Sequence, residues 1–410
     1  MGKIKITRPR VLGALFIILG LFLTYFGATG FAPAQKTTLG MGTLGTVDVG
    51  VQASLVAIGL LTVLGGLLAQ GERFRRVAMP ILMLAAFLDI LGLMIWAARG
   101  SSVDMVGMLG ASLRMSTPIA LGALAGILCE RCAVINIGIE GMMLSAAAFG
   151  FAVNLYLSQW LGPQAIWLGV LAAILTGGLM ATFHAILSIR FKTDQIVSGT
   201  AINILAVGAS GFLRRAYLVK AYFVGEILPI TEIPVLSNIP ILGAIFFENR
   251  PIVYAMLLLV PLVHFVLFHT PWGLRTRAVG EHPRAADTLG IDVIKTRYIN
   301  VIVGGMIAGL AGAWFSLETV GSFEDVMTGG KGFIALAAMI FGNWTPFGAF
   351  AGALLFGFAE ALEIKLQILD APIPHQFLSM VPYFATMIVL AGLIGRTVPP
   401  AADGQPYEKQ

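Results

Sequence analysis

Charge is what this sequence has least of. Only 11% of its 410 residues are Asp, Glu, Lys or Arg, against about a quarter in a soluble domain, which excludes an ordinary water-exposed globule. Cysteine is nearly absent: Cys129 and Cys132 are the two. They are too few for a disulfide framework, and C-E-R-C supplies half of the four ligands a structural zinc wants. No G-x-x-x-x-G-K-[ST] occurs anywhere. The segment GGKGF lacks both the spacing and the hydroxyl, so the chain has no P-loop of its own for ATP. The five histidines (His184, His264, His269, His282 and His375) are scattered, none four residues from another across an acid. Neither a nucleophile elbow nor paired carboxylates mark an enzyme. No metal or cofactor is expected, and the formal charge of +5 gathers into no nucleic-acid motif.

What the sequence has is apolar length: 58% of the residues are hydrophobic, in runs long enough to cross a bilayer. In hydrocarbon only helices or closed barrels satisfy their backbone, and the runs far exceed the roughly ten residues of a barrel strand. The expected fold is an all-α polytopic membrane protein with about twelve transmembrane helices. Candidate spans are 11–29, 52–70, 78–98, 110–129, 134–157, 165–188, 196–212, 251–269, 298–316, 329–343, 346–364 and 376–395. The first follows MGKIKITRPR and is longer than a signal-peptide core of about 7–15 residues, so it reads as an uncleaved span. Lys and Arg concentrate in alternate segments, among them 3–10, 73–76, 190–192 and 275–297. The positive-inside rule then puts both termini in the cytoplasm.

Gly122/Gly126, Gly305/Gly309 and Gly348/Gly352 have the spacing that lets helices approach closely in lipid. The 213–250 segment, with ILPITEIPVLSNIPILGA, is too interrupted to span. It reads as an ordered external loop or surface-lying segment, either a plain cap or a docking face.

One acid, Glu140, lies in the apolar stretch that follows CERCAVINIGIEGMML. Residues 140–147 read EGMMLSAA and 331–338 read KGFIALAA: a charge, a glycine, then a small-residue half span. In the topology above they run in opposite directions, as in an inverted repeat whose broken helices form a site near the midplane. A charge in a span costs about 2.5–3.5 kcal/mol on insertion scales and usually faces a cavity. Glu140 and Lys331 are therefore candidates for a polar path. Asn136, Gly138, Gly141, Gly332 and Phe333 stand beside them, with the flanking glycines permitting unwound backbone. Two plainer readings stay open: Glu140 pairs with Arg131, and Lys331 snorkels outward. For Asn203, substrate contact and helix–helix hydrogen bonding fit equally. Phe149, Phe151 and Phe333 could stack on a solute or simply pack.

Between two spans lies PWGLRTRAVGEHPRAADTLGIDVIKTRY, residues 271–298. Pro283 suits a first helical turn and Gly290 a C-terminal stop. PRAADTL then forms a short helix presenting Arg284 and Asp287 after Glu281 and His282. It is either an ordinary connection or a docking helix for a cytoplasmic motor.

The segments ERCAVINIGIEGMML, TDQIVSGTAINILAVG, GLRTRAVGEHPRAADTLGI and GGKGFIALAAMIFGNWTPFGAFAGALLFGFAEAL resemble, in order, the permease subunits of ABC importers. The resemblance is to the nucleoside-type branch of the superfamily that also holds the ribose and branched-chain amino-acid permeases, over residues 105–396. It implies a subunit that moves nucleosides across the cytoplasmic membrane of a prokaryote. Its implied partners are two cytoplasmic ATPase subunits, a second homologous permease in a heterodimer, and an external substrate-binding lipoprotein. It also implies that 281–291 is the helix coupled to the ATPase, and that IGIEG and GKGFIALAA lie along the path. Residues 1–104 are then an extension of about three spans, 105–396 the permease core and 397–410 a polar cytoplasmic tail. Cys132 departs from the small serine more usual after the Glu-Arg pair. Alternatives that remain at this point are a permease for simple sugars, a proton-coupled carrier using Glu140, and a membrane enzyme built on Cys129 and Cys132.

Overall fold

A computed structural model of the chain describes residues 8–74, 77–218, 226–380 and 397–409. Among these, nine helical stretches are long and apolar enough to cross a membrane. One of them, Ile139–Arg190, contains two successive helices. Every expected span up to 346–364 overlaps a helix. The last, 376–395, falls largely outside the described residues.

The chain divides into two compact units, one of residues 1–111, 234–246 and 359–395, the other of 112–233, 247–358 and 396–410. In the first, α1 (Arg8–Gly30), α2 (Val51–Gln70) and α3 (Ala78–Ala97) are apolar on nearly every face. In lipid, small residues rather than greasy ones set helix contacts. Gly13, Gly20 and Gly27 form such a line: a Cβ on Gly13 would come within 2.8 Å of the Gly66 carbonyl oxygen, and on Gly20 within 2.6 Å of that of Gly59. Between α2 and α3 a polar tie is added, where Thr62 Oγ1 donates to Asp89 Oδ1 at 2.6 Å.

The all-α expectation misses one element in this unit. Between α1 and α2 the stretch KTTLGMGTLGTVDVG folds into β1 (Lys36–Gly40) and β2 (Thr46–Gly50), antiparallel with Lys36 opposite Gly50. β3 (Ser102–Asp104) joins β1 in parallel. Thr and Val favour a pleated surface, and Gly42 and Gly45, both at positive φ, make the reversal.

The second unit takes in α4 (Met105–Glu130) from Ser112 onward, then α5 (Ile139–Leu161), α6 (Ala165–Ala185), α7 (Gln195–Leu213) and α8 (Pro251–His269). It continues with α9 (Pro271–Glu281), α10 (Pro283–Thr288), α11 (Val293–Ala313), α12 (Lys331–Phe341) and most of α13 (Pro346–Ile368). Each sequence-level glycine pair makes a contact. Gly305 and Gly309 meet Gly177 backbone to backbone, Gly122 and Gly126 receive Ala335 and Met339 of α12, and Gly352 meets Ala338. Within the 213–250 segment, Thr231–Glu232 pairs with Glu248–Asn249 as a short antiparallel ribbon, and Arg214 bridges Glu324 and Asp325.

Two expected spans change shape. The 134–157 span starts as helix only at Ile139, and 329–343 shrinks to α12, whose eleven residues rise about 16 Å, half of the roughly 30 Å hydrocarbon layer. α12 is a half-span.

Asp89 Oδ2 is buried with no hydrogen-bond partner among the described residues, so Thr62 is the group that stabilises this acid. Thr62→Val is expected to lower stability by about 0.6–1.7 kcal/mol in thermal unfolding of the detergent-purified protein, and Asp89→Asn, which keeps the acceptor, by less. Equal stability of Thr62→Val and the native chain would show that this bond does not join the helices.

Candidate functional site

α4 ends at Glu130 and α5 begins at Ile139. The eight residues between are buried almost throughout, where unpaired backbone groups are costly. Side chains from α6 and α7 satisfy them. Gln195 Oε1 accepts from Ile135 N at 2.7 Å, and His184 Nε2 lies 3.0 Å from the Ile135 carbonyl oxygen. Asn203 acts twice, Nδ2 donating to Ile137 O at 3.1 Å and Oδ1 accepting from Gly141 N at 2.8 Å. Asn136 Oδ1 accepts from Gly138 N at 3.1 Å. This part of the chain is therefore unwound yet held by side chains at Ile135, Ile137 and Gly138.

Glu140 projects from the first turn of α5 toward the start of α12. Its Oε1 accepts from Thr328 Oγ1 at 2.6 Å and Gly330 N at 2.8 Å, and its Oε2 accepts from Gly332 N at 2.6 Å. The carboxyl thus sits at a helix N-terminus, where free N–H groups and the dipole favour negative charge. The approach needs Gly332, since a Cβ there would lie 2.6 Å from Glu140 Cα. Arg131 is engaged elsewhere: Nε donates to Trp344 O at 3.0 Å and Nη2 to Asn343 O at 3.3 Å. Trp344 Nε1 in turn donates to Glu130 Oε2. The two ends of α12 are therefore tied to the two ends of the α4–α5 break. The Lys331 ammonium lies 5.7 Å from the Phe315 ring centroid, within cation–π range.

Of the sequence-predicted path residues, Asn136, Gly138, Glu140, Gly141, Asn203 and Gly332 come together in one hydrogen-bonded cluster. Lys331 sits at its edge. Phe333 points away and is 48% exposed; Phe149 is exposed and Phe151 buried. Sequence reasoning passed over Gln195, His184 and Thr328. His184 is a polar residue in apolar surroundings, the same signal that singled out Glu140, whereas Gln195 follows Lys192, Thr193 and Asp194 and carries no such signal.

The second candidate element is α10. Pro283 is its first residue, and Gly290, at φ +83°, ends it. Ile291 N donates to Ala286 O at 3.1 Å and Gly290 N to Asp287 O at 2.9 Å, the paired bonds of a Schellman stop. Leu289 is left 81% exposed. Glu281, His282, Pro283 and Arg284 line a cavity of about 860 Å³ together with Ala401, Ala402 and residues 405–408 of the tail. Tyr407 there lies beside Asp287. Burial lifts the nearby Asp403 carboxyl to about 6, opposed only in part by its hydrogen bonds to Gly404 N–H and Glu130 and by the Arg297 charge.

Residues 108–391 match the family described as the permease component of branched-chain amino acid transport systems. The chain belongs to this family. Curated relatives include the guanosine ABC transporter permease protein NupQ of Bacillus subtilis, 44% identical over 73% of this chain and 95% of that protein. The nucleoside ABC transporter permease protein NupC of Lactococcus lactis is 38% identical over 72% and 94%. A second Bacillus subtilis guanosine permease, NupP, is 28% identical over 70% and 79%. No solved structure matches. As a permease of this family the chain is a multi-pass cell-membrane protein and a transport component rather than an enzyme.

Glu140→Gln replaces one acceptor oxygen with an amide donor facing other donors. Each donor left buried and unpaired costs about 1–3 kcal/mol, so a lowered thermal midpoint and lowered transport are expected together, while Thr328→Ser keeps its hydroxyl and stays near native. A Glu140→Gln protein as stable as native would show that these bonds do not hold α12. For Asp403 the sign follows from its raised value. The folded chain holds the proton more tightly than the ordinary carboxyl near 3.9 does. The attachment of the tail is thus strongest below about pH 4 and weakens as pH rises through about 6. Asp403→Asn is expected to protect residues 397–409 from limited proteolysis at about pH 7.5, with the gain shrinking toward about pH 5. No difference at either pH would remove Asp403 as a determinant.

Proposed function

We propose that this chain is the permease subunit of an ABC importer that carries nucleosides across the cell membrane, driven by separate ATPase subunits. The observation that carries the substrate class is the 44% and 38% identity, along nearly the full length of NupQ and NupC, with proteins named for guanosine and nucleoside transport. A separate motor agrees with the lack of a P-loop in the sequence. NupQ and NupP, two permeases of one strain named for the same substrate, support a second homologous permease beside this one. An external substrate-binding lipoprotein completes the assembly.

In this reading both termini are cytoplasmic, as the distribution of Lys and Arg favours, and α10 is the helix that meets the ATPase. Its exposed Leu289 and the rim of Glu281, His282 and Arg284 offer one apolar contact in a polar frame. The path runs past the α4–α5 break and the start of α12, with Lys331 at its edge the residue nearest a passing base or ribose. Residues 1–104 form an N-terminal extension outside the transport core of 105–396. A proton-coupled carrier built on Glu140 is less well supported, because both carboxylate oxygens are already engaged by fixed donors.

The test is purification of the tagged chain from its native membranes, followed by reconstitution with what accompanies it. An ATPase with its own P-loop is expected to co-purify, and ATP inside the vesicles to drive uptake of radiolabelled guanosine that excess ribose does not compete. Leu289→Asp should strip the ATPase from the complex. A chain that purifies alone and takes up solute on a proton gradient would overturn the proposal, and uptake competed by ribose but not by nucleosides would replace the substrate.

A further inference from the structure

The tail beyond residue 396 is short, polar and lacks regular helix, the usual profile of a frayed terminus. Its contacts are of another kind. Val398 N donates to Asn343 Oδ1 at 3.1 Å, within the turn between α12 and α13. Ala402 N donates to Gly280 O at 3.0 Å, and Ala401 N to Glu281 Oε2 at 3.2 Å, at the end of α9. Arg297 Nη1, from the start of α11, donates to Gln405 O at 3.0 Å. Lys192, between α6 and α7, pairs with Glu408 at 2.6 Å. Gly404 packs on Ile135 so closely that a Cβ would lie 2.8 Å from its Cδ1. Gly404 is also at φ +74°, which only glycine adopts without strain.

Most of these ties use backbone groups, and they link elements otherwise far apart in the chain. Both chain breaks around α12 and the α4–α5 junction are among them, as is the α9–α10 corner. α10 is too short to be stable alone; on its outer side it meets the tail through Asp287 and Tyr407. A displacement of the α9–α10 corner is therefore met by the tail through hydrogen bonds at Gly280 and Glu281, and the tail in turn holds Asn343 by a hydrogen bond and Ile135 by packing.

We propose that residues 397–409 are a positioning strap that passes movement of the α9–α10 corner to the two chain breaks lining the transport path. The proposal rests on the reading of α10 as the ATPase-contacting helix. In the reconstituted importer complex, three quantities separate the two: ATPase bound per permease, ATP hydrolysed, and guanosine moved. Two variants unseat the strap, a chain ending at Arg396 and the full-length Gly404→Val. The expected result for both is that the ATPase stays bound and hydrolysis continues. Guanosine moved per ATP falls, by about tenfold, within the roughly 5–150-fold span of allosteric couplings. A purely structural fastener would reduce the yield of complex and leave that ratio in the surviving complexes as in the native one.

An unchanged ratio in both variants overturns the strap. So does release of the ATPase on removal of the tail, which would make the tail a docking element. A third variant, Leu289→Asp, tests the underlying reading alone: retention of the ATPase there sinks the role of α10 whatever the tail does.

Discussion

The permease core depends on one carboxylate shared between two distant parts of the chain. α12 is too short to cross the membrane and begins in the middle of the protein, where four N–H groups at a helix start have no helical partner. Glu140 takes two backbone amides there and the Thr328 hydroxyl besides. A buried anion is expensive when alone and tolerable when its oxygens are filled. Here its presence fixes the junction of two half-length elements that apolar packing alone would leave free to slide, since lipid is as apolar as leucine. The far end of α12 is held the same way, through Trp344 on Glu130 and Arg131 on the carbonyls of Asn343 and Trp344.

The importance of Glu140 was legible in the sequence, because a lone acid in an apolar stretch must have a partner. Which partner it has was not. Arg131 and Lys331 are visible as cations, whereas Gly330 and Gly332 contribute only backbone N–H groups that no residue letter announces. The same blindness hid the role of Asn203, which binds a carbonyl and an amide in the α4–α5 break rather than a side chain. Its polarity marked it as a helix–helix tie or a ligand contact, and in this chain its amide bonds the backbone at Ile137 and Gly141. The glycine pairs were readable as close contacts, and their partners followed only once the helices had a place.

α10 was readable at both ends because proline and glycine act through their own backbone geometry, independently of what surrounds them. The tail was read only as polar, since segments bound chiefly through their main chain leave no pattern of side chains behind. The small sheet after α1 was missed for a different reason. Its strands are only five residues each, with alternating valines in the second alone, and the apolar helices on either side dominate any wider window. Family membership, by contrast, rested on long ordered segments and was secure from the sequence.

The glycine line of α1 carries an implication for shape. Gly13, Gly20 and Gly27 recur every seven residues, and so do their counterparts Gly66 and Gly59 on α2. Seven residues fall short of two full turns of a 3.6-residue helix by about 20°. To keep such a line in register the two helices must wrap around each other with a left-handed supercoil. A single residue inserted into either helix would turn everything beyond it by about 100° and point the remaining glycines into lipid. The spacing of α1 thus tolerates no length variation, while the composition of its lipid-facing surface is free to drift.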